Sequence, residues 1–552
     1  MSRTSLMAQL LRLARIAQDS RSHGDSVENA LEREILDNAS RRRFAQGAAA
    51  AAAVATAGAV AAPLAMQRAT IERNLERRRG GRRSGGKLPS GAVAVVGAGI
   101  AGLACANELL RKGVNAHVYE ASSRVGGRIS TLRGYFPGQV VERGGEFINP
   151  SHHVMLGYAR ELGLTLEESS AQPGQSWYDL GGRRYSEVEL AEELGVLQAS
   201  MAEEFGALSL PTAERFGEAE SLYDFMTLDE LLTLHGSSDT LRKLIGSAYA
   251  AEYGAGIHEV SAMSFLRFVH GDKRTKFGAF GAQGETNFHV VDGNDRITTG
   301  LAARLASPVQ LGQRLVAIRK LSGGQVVLTF DNGAGRTTQV AYDAVVLTVP
   351  FSVLRDVQID ASVGLPAWKR DAINLSAMGD NAKLMVGFKS SYWYLQHESN
   401  GTLFSDRERL QATWESNPTY GGEARGVLTS YMGGDLARAI HPRTLQSDAQ
   451  AFLNDLEVAL PGANAQAQRT LDGTILAASM NWSGNPYAKG SYALARPGYF
   501  TTSAHNEAKP VGNLFFAGEH TSSFYEWQGT MEGAALSGLR AAGEVCSLMR
   551  VA

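Results

Sequence analysis

The run Gly97-Ala98-Gly99-Ile100-Ala101-Gly102 sets three glycines at the spacing a phosphate cradle requires. Gly97 permits a sharp turn, Gly99 lets the backbone approach a pyrophosphate, and Gly102 lets a helix pack on its strand. Ala92-Val93-Ala94-Val95-Val96 before it is a short β-branched apolar run, which predicts a buried parallel strand. Leu103 to Arg111 after it has helical spacing, so a helix N-terminus would aim unpaired N–H groups and a positive dipole end at the phosphates. The next strand, Val114 to Glu120, ends in an acid 18 residues beyond Gly102. A carboxylate there takes ribose hydroxyls and repels a phosphorylated ribose. Together these elements predict a dinucleotide-binding βαβ unit. A second residue of chemical interest is Lys383, in Asn381-Ala382-Lys383-Leu384-Met385-Val386-Gly387-Phe388. An amine inside an apolar strand is costly unless it has a partner or a task.

Two further glycine segments narrow the ligand. Arg124-Val125-Gly126-Gly127-Arg128 follows the second strand, and Glu142-Arg143-Gly144-Gly145-Glu146-Phe147 lies shortly beyond. Near the C-terminus, Asn513-Leu514-Phe515-Phe516-Ala517-Gly518-Glu519 reads as a strand ending in Gly-Glu, and Gln528-Gly529-Thr530-Met531-Glu532-Gly533-Ala534 opens a helix. On these residues the chain resembles the flavin amine oxidase superfamily, which includes monoamine, polyamine and L-amino acid oxidases. The resemblance runs in patches from about Gly91 to Ala542, with Val291-Asp292-Gly293-Asn294 and Ala344 to Pro350 as further matches.

The resemblance implies FAD bound through Gly97, Gly99, Ile100, Ala101, Gly102, Glu120, Ala121 and Arg128, with Val316 at the adenine. It also implies flavin contacts from Gly144, Gly145, Glu146, Phe147, Gly529, Thr530, Met531 and Ala534, and a ribityl hydroxyl on Glu519. Arg128 suits phosphate through its planar fork. A helix N-terminus at Met531 would stabilise the negative charge that reduced flavin gathers. Lys383 takes the place of the family lysine that bridges through a water to the flavin, with Trp393 downstream at the position of a family aromatic. Ser491 stands where covalently flavinylated monoamine oxidases carry cysteine, so the FAD is expected to be non-covalent. The implied reaction is hydride transfer from an amine to flavin, imine hydrolysis and reduction of dioxygen to hydrogen peroxide.

The resemblance places substrate contacts at Phe147, Tyr431, Tyr492, Trp527, Gly529 and Thr530. Thr530 replaces the second tyrosine of the monoamine oxidase cage, and Tyr525 or Trp527 could compensate. Ser430-Tyr431-Met432-Gly433-Gly434-Asp435 resembles the segment in which L-amino acid oxidases present a tyrosine to the substrate carboxylate. Phe147, however, stands where those enzymes usually carry the carboxylate-binding arginine, so another arginine from the middle segment would be needed. The overall likeness is greatest to secreted bacterial L-amino acid oxidases. Monoamine or polyamine oxidation is the alternative, and a flavin desaturase or a non-catalytic flavoprotein stands behind both.

These residues need a scaffold. The expected fold is α/β: a Rossmann-like, glutathione-reductase-like FAD-binding domain with a mixed α+β substrate domain and a helical cover. The 552 residues divide into FAD-binding segments at 89–155, 285–355 and 475–552, with substrate-domain segments at 156–284 and 356–474. The Leu-, Ala- and Glu-rich stretch from Glu187 to about Leu266 supplies the cover. Residues 1–65 read as a twin-arginine-type signal region, from Arg41-Arg42-Arg43 and the Ala-rich run after it, and 66–88 as a basic linker. The expected location is therefore periplasmic or secreted, in a bacterium, with no stable membrane span because alanine contributes little transfer energy. A net charge of −2 offers no field for nucleic acid. Cys105 and Cys546 lack metal-ligand spacing and read as small buried hydrophobes. The expected partners are a small amine or amino acid, dioxygen, and further copies of the chain in a homodimer or larger homo-oligomer.

Overall fold

The computed structural model describes residues 5–35, 93–169, 173–209, 211–269, 287–333, 335–407, 409–417, 425–522 and 528–550. The helices that shape the site are α1 (Ser5–His23), α2 (Ile100–Arg111), α3 (His153–Glu161), α4 (Glu187–Ser200), α5 (Asp239–Tyr253) and α6 (Met531–Met549).

Four short strands form a parallel sheet in the order Ala116–Tyr119, Val93–Val96, Ala344–Leu347, Leu514–Phe516. Val93–Val96, Ala344–Leu347 and Leu514–Phe516 are buried throughout, the pattern of strands covered on both faces. The sheet thus joins segments more than 400 residues apart, and the two ends of the dinucleotide half meet in it. Helices α2 and α6 pack so closely that a Cβ on Gly538 would stand 2.1 Å from the Ala101 carbonyl oxygen. Cys105 and Cys546 lie buried in this helix pair, as expected for small hydrophobes.

A second, mixed sheet of seven strands runs in the order Ala477–Asn481, Asn381–Phe388, Gly426–Gly433, Leu410–Glu415, Ser399–Arg407, Gln175–Leu180, Arg183–Tyr185. Lys383 sits on its second strand, which is paired on both sides and buried at every position. An exposed edge lysine is thereby excluded. The stretch from Glu187 to Leu266 is helical as expected. Ser186 and Glu189 form a capping box at the start of α4, which satisfies N–H groups that the helix leaves open.

Residues 5–35, grouped by sequence with the leader, are built into the helical cover. Helix α1 packs on α4 and α5 and buries Leu10, Leu13 and Ile16 at 1%, 0% and 2% exposure. Arg12 pairs with Glu34 at 2.8 Å and with Glu187 of α4 at 2.5 Å, and Arg21 donates to Gly195 and Gln198 of α4. The arginines and alanines of the expected export signal, and the basic linker, lie outside the described residues. Among the described residues no helix is long and apolar enough to cross a membrane, and no group of His, Cys, Asp and Glu could hold a metal ion.

Candidate active site

A cavity of about 670 Å³ lies between the two sheets' contributions, with glycine turns in one half and aromatic side chains in the other. In the glycine half, Gly97 has φ +108°, and a Cβ there would stand 2.4 Å from Thr348 Oγ1, so only glycine fits the turn. Gly102 has a packing role: a Cβ there would fall 1.9 Å from the Gly97 carbonyl oxygen. The Gly126-Gly127 turn sits on the first turn, with Gly126 N–H donating to the Ala98 carbonyl at 2.8 Å. Glu120 closes the cradle at the end of its strand. One carboxylate oxygen accepts from Ala98 N–H at 2.8 Å and the other from Ser122 N–H at 2.9 Å.

The remote C-terminal segment arrives at the same place. Glu519, buried, pairs with Arg128 at 3.0 Å, and Arg128 also donates to the Ser491 carbonyl. Helix α6 starts at Met531, capped by Thr530, whose side chain accepts from Gly533 N–H at 3.0 Å. The Gly144-Gly145 loop approaches this helix start so closely that a Cβ on Gly145 would stand 2.8 Å from Met531 Sδ. Asn294, in the family-like Val291–Asn294 segment, holds the loop through bonds to the Gly145 and Glu146 carbonyls at 3.0 and 2.7 Å. Its own N–H donates to Glu142 at 2.6 Å, and burial pushes the Glu142 carboxyl up to about 7. Glu532 accepts from Val154 and Met155 N–H at the start of α3 and is likewise pushed up to about 7 by burial.

In the aromatic half, Phe147 and Tyr431 flank Trp414 with ring centroids 5.4 and 5.3 Å away. The Tyr431 hydroxyl is buried and has no hydrogen-bond partner among the described residues. Lys383 Nζ makes three contacts: the Glu142 carbonyl at 2.9 Å, the Gly144 carbonyl at 2.9 Å and Glu146 Oε2 at 2.6 Å. Its three N–H donors are thus matched by protein acceptors. Trp414 Nε1 donates to Glu146 Oε1 at 3.0 Å. The carboxylate is therefore held on both oxygens.

The cavity is lined by Gly97, Gly99, Ile100, Ala101, Glu120, Ala121, Arg128, Gly144, Gly145, Glu146, Phe147, Val316, Lys383, Tyr431, Tyr492, Glu519, Gly529, Thr530, Met531 and Ala534. Gly102 stands behind the lining in its packing role, and Trp527 and Tyr525 lie outside the described residues. Trp393 is not part of the cavity. It is fully buried against Phe388 and Tyr392 and donates to Glu415 at 3.2 Å. The aromatic beside Lys383 is Trp414, whose ring centroid is 5.4 Å from Nζ, and Trp482 lines the cavity from the neighbouring strand end. Trp414 went unmarked because nothing local distinguishes a strand tryptophan in the core from one facing a cavity.

These residues fit a flavin dinucleotide: two bare glycine turns, an acid at the second strand, and a capped helix start facing a bare Gly-Gly loop. Fold and cavity together define a dinucleotide-binding oxidoreductase of the flavoprotein type. The chain belongs to the flavin-containing amine oxidoreductase family, whose model matches residues 100–546. It is 24% identical over 461 residues to an L-amino-acid oxidase of Vipera ammodytes ammodytes, covering 82% of this chain and 92% of that protein. It is 27% identical over 470 residues to AofH of Mycobacterium tuberculosis (strain H37Rv), a protein assigned by name to the flavin-containing monoamine oxidases, covering 83% and 97%. Cyclohexylamine oxidase from Brevibacterium oxydans IH-35A shares the fold with a TM-score of 0.71 at 22% identity, over 84% of this chain and 100% of that one.

Proposed function

We propose that this family member is an FAD-dependent oxidase of L-amino acids, in which amino acid, dioxygen and water give the 2-oxo acid, ammonium and hydrogen peroxide. FAD, when bound, accepts a hydride equivalent from the substrate α-carbon and passes two electrons to dioxygen. The protein's own contribution is orientation and exclusion of water. Gly97, Gly99, Glu120, Arg128 and Glu519 would hold the dinucleotide, and the start of α6, on the cavity lining, would favour negative charge beside it. Phe147, Trp414 and Tyr492 would wall the substrate side, and Lys383, bonded to the Gly144 carbonyl, would serve the flavin.

The observation that carries the amino-acid reading is the Tyr431 hydroxyl, a buried donor on the lining of the aromatic half with no hydrogen-bond partner among the described residues. A buried polar group of this kind is costly until a ligand satisfies it, and a carboxylate oxygen is a suitable acceptor. The relatives named as L-amino-acid oxidases support the same choice. A second reading, oxidation of a simple amine, is favoured by the charges. Arg124, Arg128 and Arg314, the arginines on the lining, already bond backbone carbonyls, Glu519 and Asp331. Lys383 is paired with Glu146. Among the described residues no arginine of the middle segment lines the cavity.

A peroxide assay with L-phenylalanine, L-lysine, D-phenylalanine, phenylethylamine and putrescine separates the two. Turnover of an L-amino acid is expected; turnover of phenylethylamine or putrescine with no amino acid active would replace the first reading by the second. The FAD is proposed to be non-covalent, since Ser491 occupies the cysteine position and both cysteines are in the core. Acid precipitation should release the yellow colour; a yellow pellet would refute this. Twin-arginine export and a homo-oligomeric state complete the proposal. They are tested by fractionating cells that carry Arg41→Lys, Arg42→Lys and Arg43→Lys together, where retained export would refute the first, and by light scattering, where a monomer would refute the second.

A further inference from the structure

The Lys383–Glu146 pair is nearly sealed from water, with side-chain exposures of 5% and 3%. An unpartnered ammonium at such a depth would be too costly to keep charged. The groups facing Lys383 come from three elements. Glu146 contributes a carboxylate at 2.6 Å. The loop leading into Gly144-Gly145 contributes two carbonyls, with the Glu142 carboxyl nearby and turned to Asn294 and Thr131. The adjacent strands contribute Tyr431 directly across and the Trp414 ring. Among the described residues, Glu146 supplies the carboxylate in direct contact. Its second oxygen is anchored by Trp414, so the carboxylate cannot swing away without breaking a buried hydrogen bond.

Resting on the reading above, in which Lys383 serves the flavin, we propose that Glu146 is a positioning residue. Clamped by Trp414, it holds Lys383 charged and aimed along the Gly144-Gly145 loop, and so sets the pH range over which the flavin is reoxidised. The reaction it serves is the transfer of two electrons and two protons to dioxygen, giving hydrogen peroxide. Glu146 itself gains and loses nothing over the cycle.

The test uses purified holoenzyme reduced anaerobically with dithionite and mixed with oxygenated buffer in a stopped-flow instrument, so that no substrate assignment enters. In wild type the reoxidation rate should fall at alkaline pH. Lys383→Met should be slow at every pH and lack that limb. Glu146→Gln should reoxidise within about threefold of wild type at pH 6, yet about tenfold more slowly at pH 8.5, with its alkaline limb moved down by at least about one pH unit, since one unit is a tenfold change in protonation. Glu146→Asp should recover part of the shift, and Glu146→Gln added to Lys383→Met should change nothing further. Trp414→Phe keeps both charges and should move the limb the same way by less; it carries the test if Glu146→Gln yields no folded flavoprotein. A Glu146→Gln profile superimposable on wild type, or an equal slowing in the Lys383→Met background, would overturn the proposal. If Lys383→Met itself reoxidises normally, the lysine's assigned task fails first, and the proposal falls with it.

Discussion

Loosening α1 tests whether residues 5–35 belong to the working body of the protein. Leu13 and Ile16 are one turn apart on the face that meets α4 and α5, and both are almost completely buried. Each Leu or Ile to Ala change in a closed core costs about 2–5 kcal/mol, as lost transfer energy plus the cavity left behind. The two side chains share neighbours, so Leu13→Ala with Ile16→Ala should cost about 4–7 kcal/mol, somewhat less than the sum of two extremes. The ion pairs of Arg12 are partly exposed and add at most about 1 kcal/mol each, so they cannot compensate. Such a loss rivals the stability of a whole domain. The cheaper response is local release of residues 5–35, with the parallel sheet intact. Hydrogen exchange followed by mass spectrometry should show residues 9–23 losing protection by about a thousandfold or more, while α2 and α6 keep theirs and the flavin stays bound. Unchanged protection of residues 9–23 in the double variant would refute the packing argument.

Three other outcomes follow from the same geometry. Gly102→Ala drives a methyl into the Gly97 carbonyl, so the variant should fold poorly or purify colourless; full flavin occupancy, read as the ratio of flavin to protein absorbance, would contradict this. Burial holds His520 neutral, down to about 3, whereas it titrates near its ordinary 6.5 when unfolded. Its stabilising contribution is thus complete above about pH 6.5 and is lost as pH falls toward 3, by up to about 1.4 kcal/mol per pH unit. His520→Gln should therefore lose melting temperature less steeply than wild type between pH 7 and 5, and parallel slopes would count against it. Tyr431→Phe should raise KM for the active amino acid about tenfold, one hydrogen bond to a charged group being worth about 1.5–3 kcal/mol, with little change in kcat; an unaltered KM would remove Tyr431 from carboxylate binding.

The sequence by itself determined the dinucleotide half. Steric and dipolar demands of a pyrophosphate are met by glycines and a helix start at fixed local spacing, so Gly97 to Gly102 and Glu120 could be read from neighbours along the chain, whereas the Gly126-Gly127 turn was legible through resemblance. The remote Glu519 and the start of α6 were legible through resemblance, since no local rule says that residue 519 meets residue 128. The tertiary structure decided what contacts across elements decide. It placed Trp414 rather than Trp393 beside Lys383, because the strand pairing in the seven-stranded sheet brings Leu410–Glu415 next to Gly426–Gly433 and turns Trp414 toward the cavity. It also gave Lys383 a buried carboxylate partner 237 positions away, and it drew α1 into the helical cover. Burial of a charge or of an apolar face is a property of the assembled surroundings, and spacing along the chain carries no record of which surface will close over it.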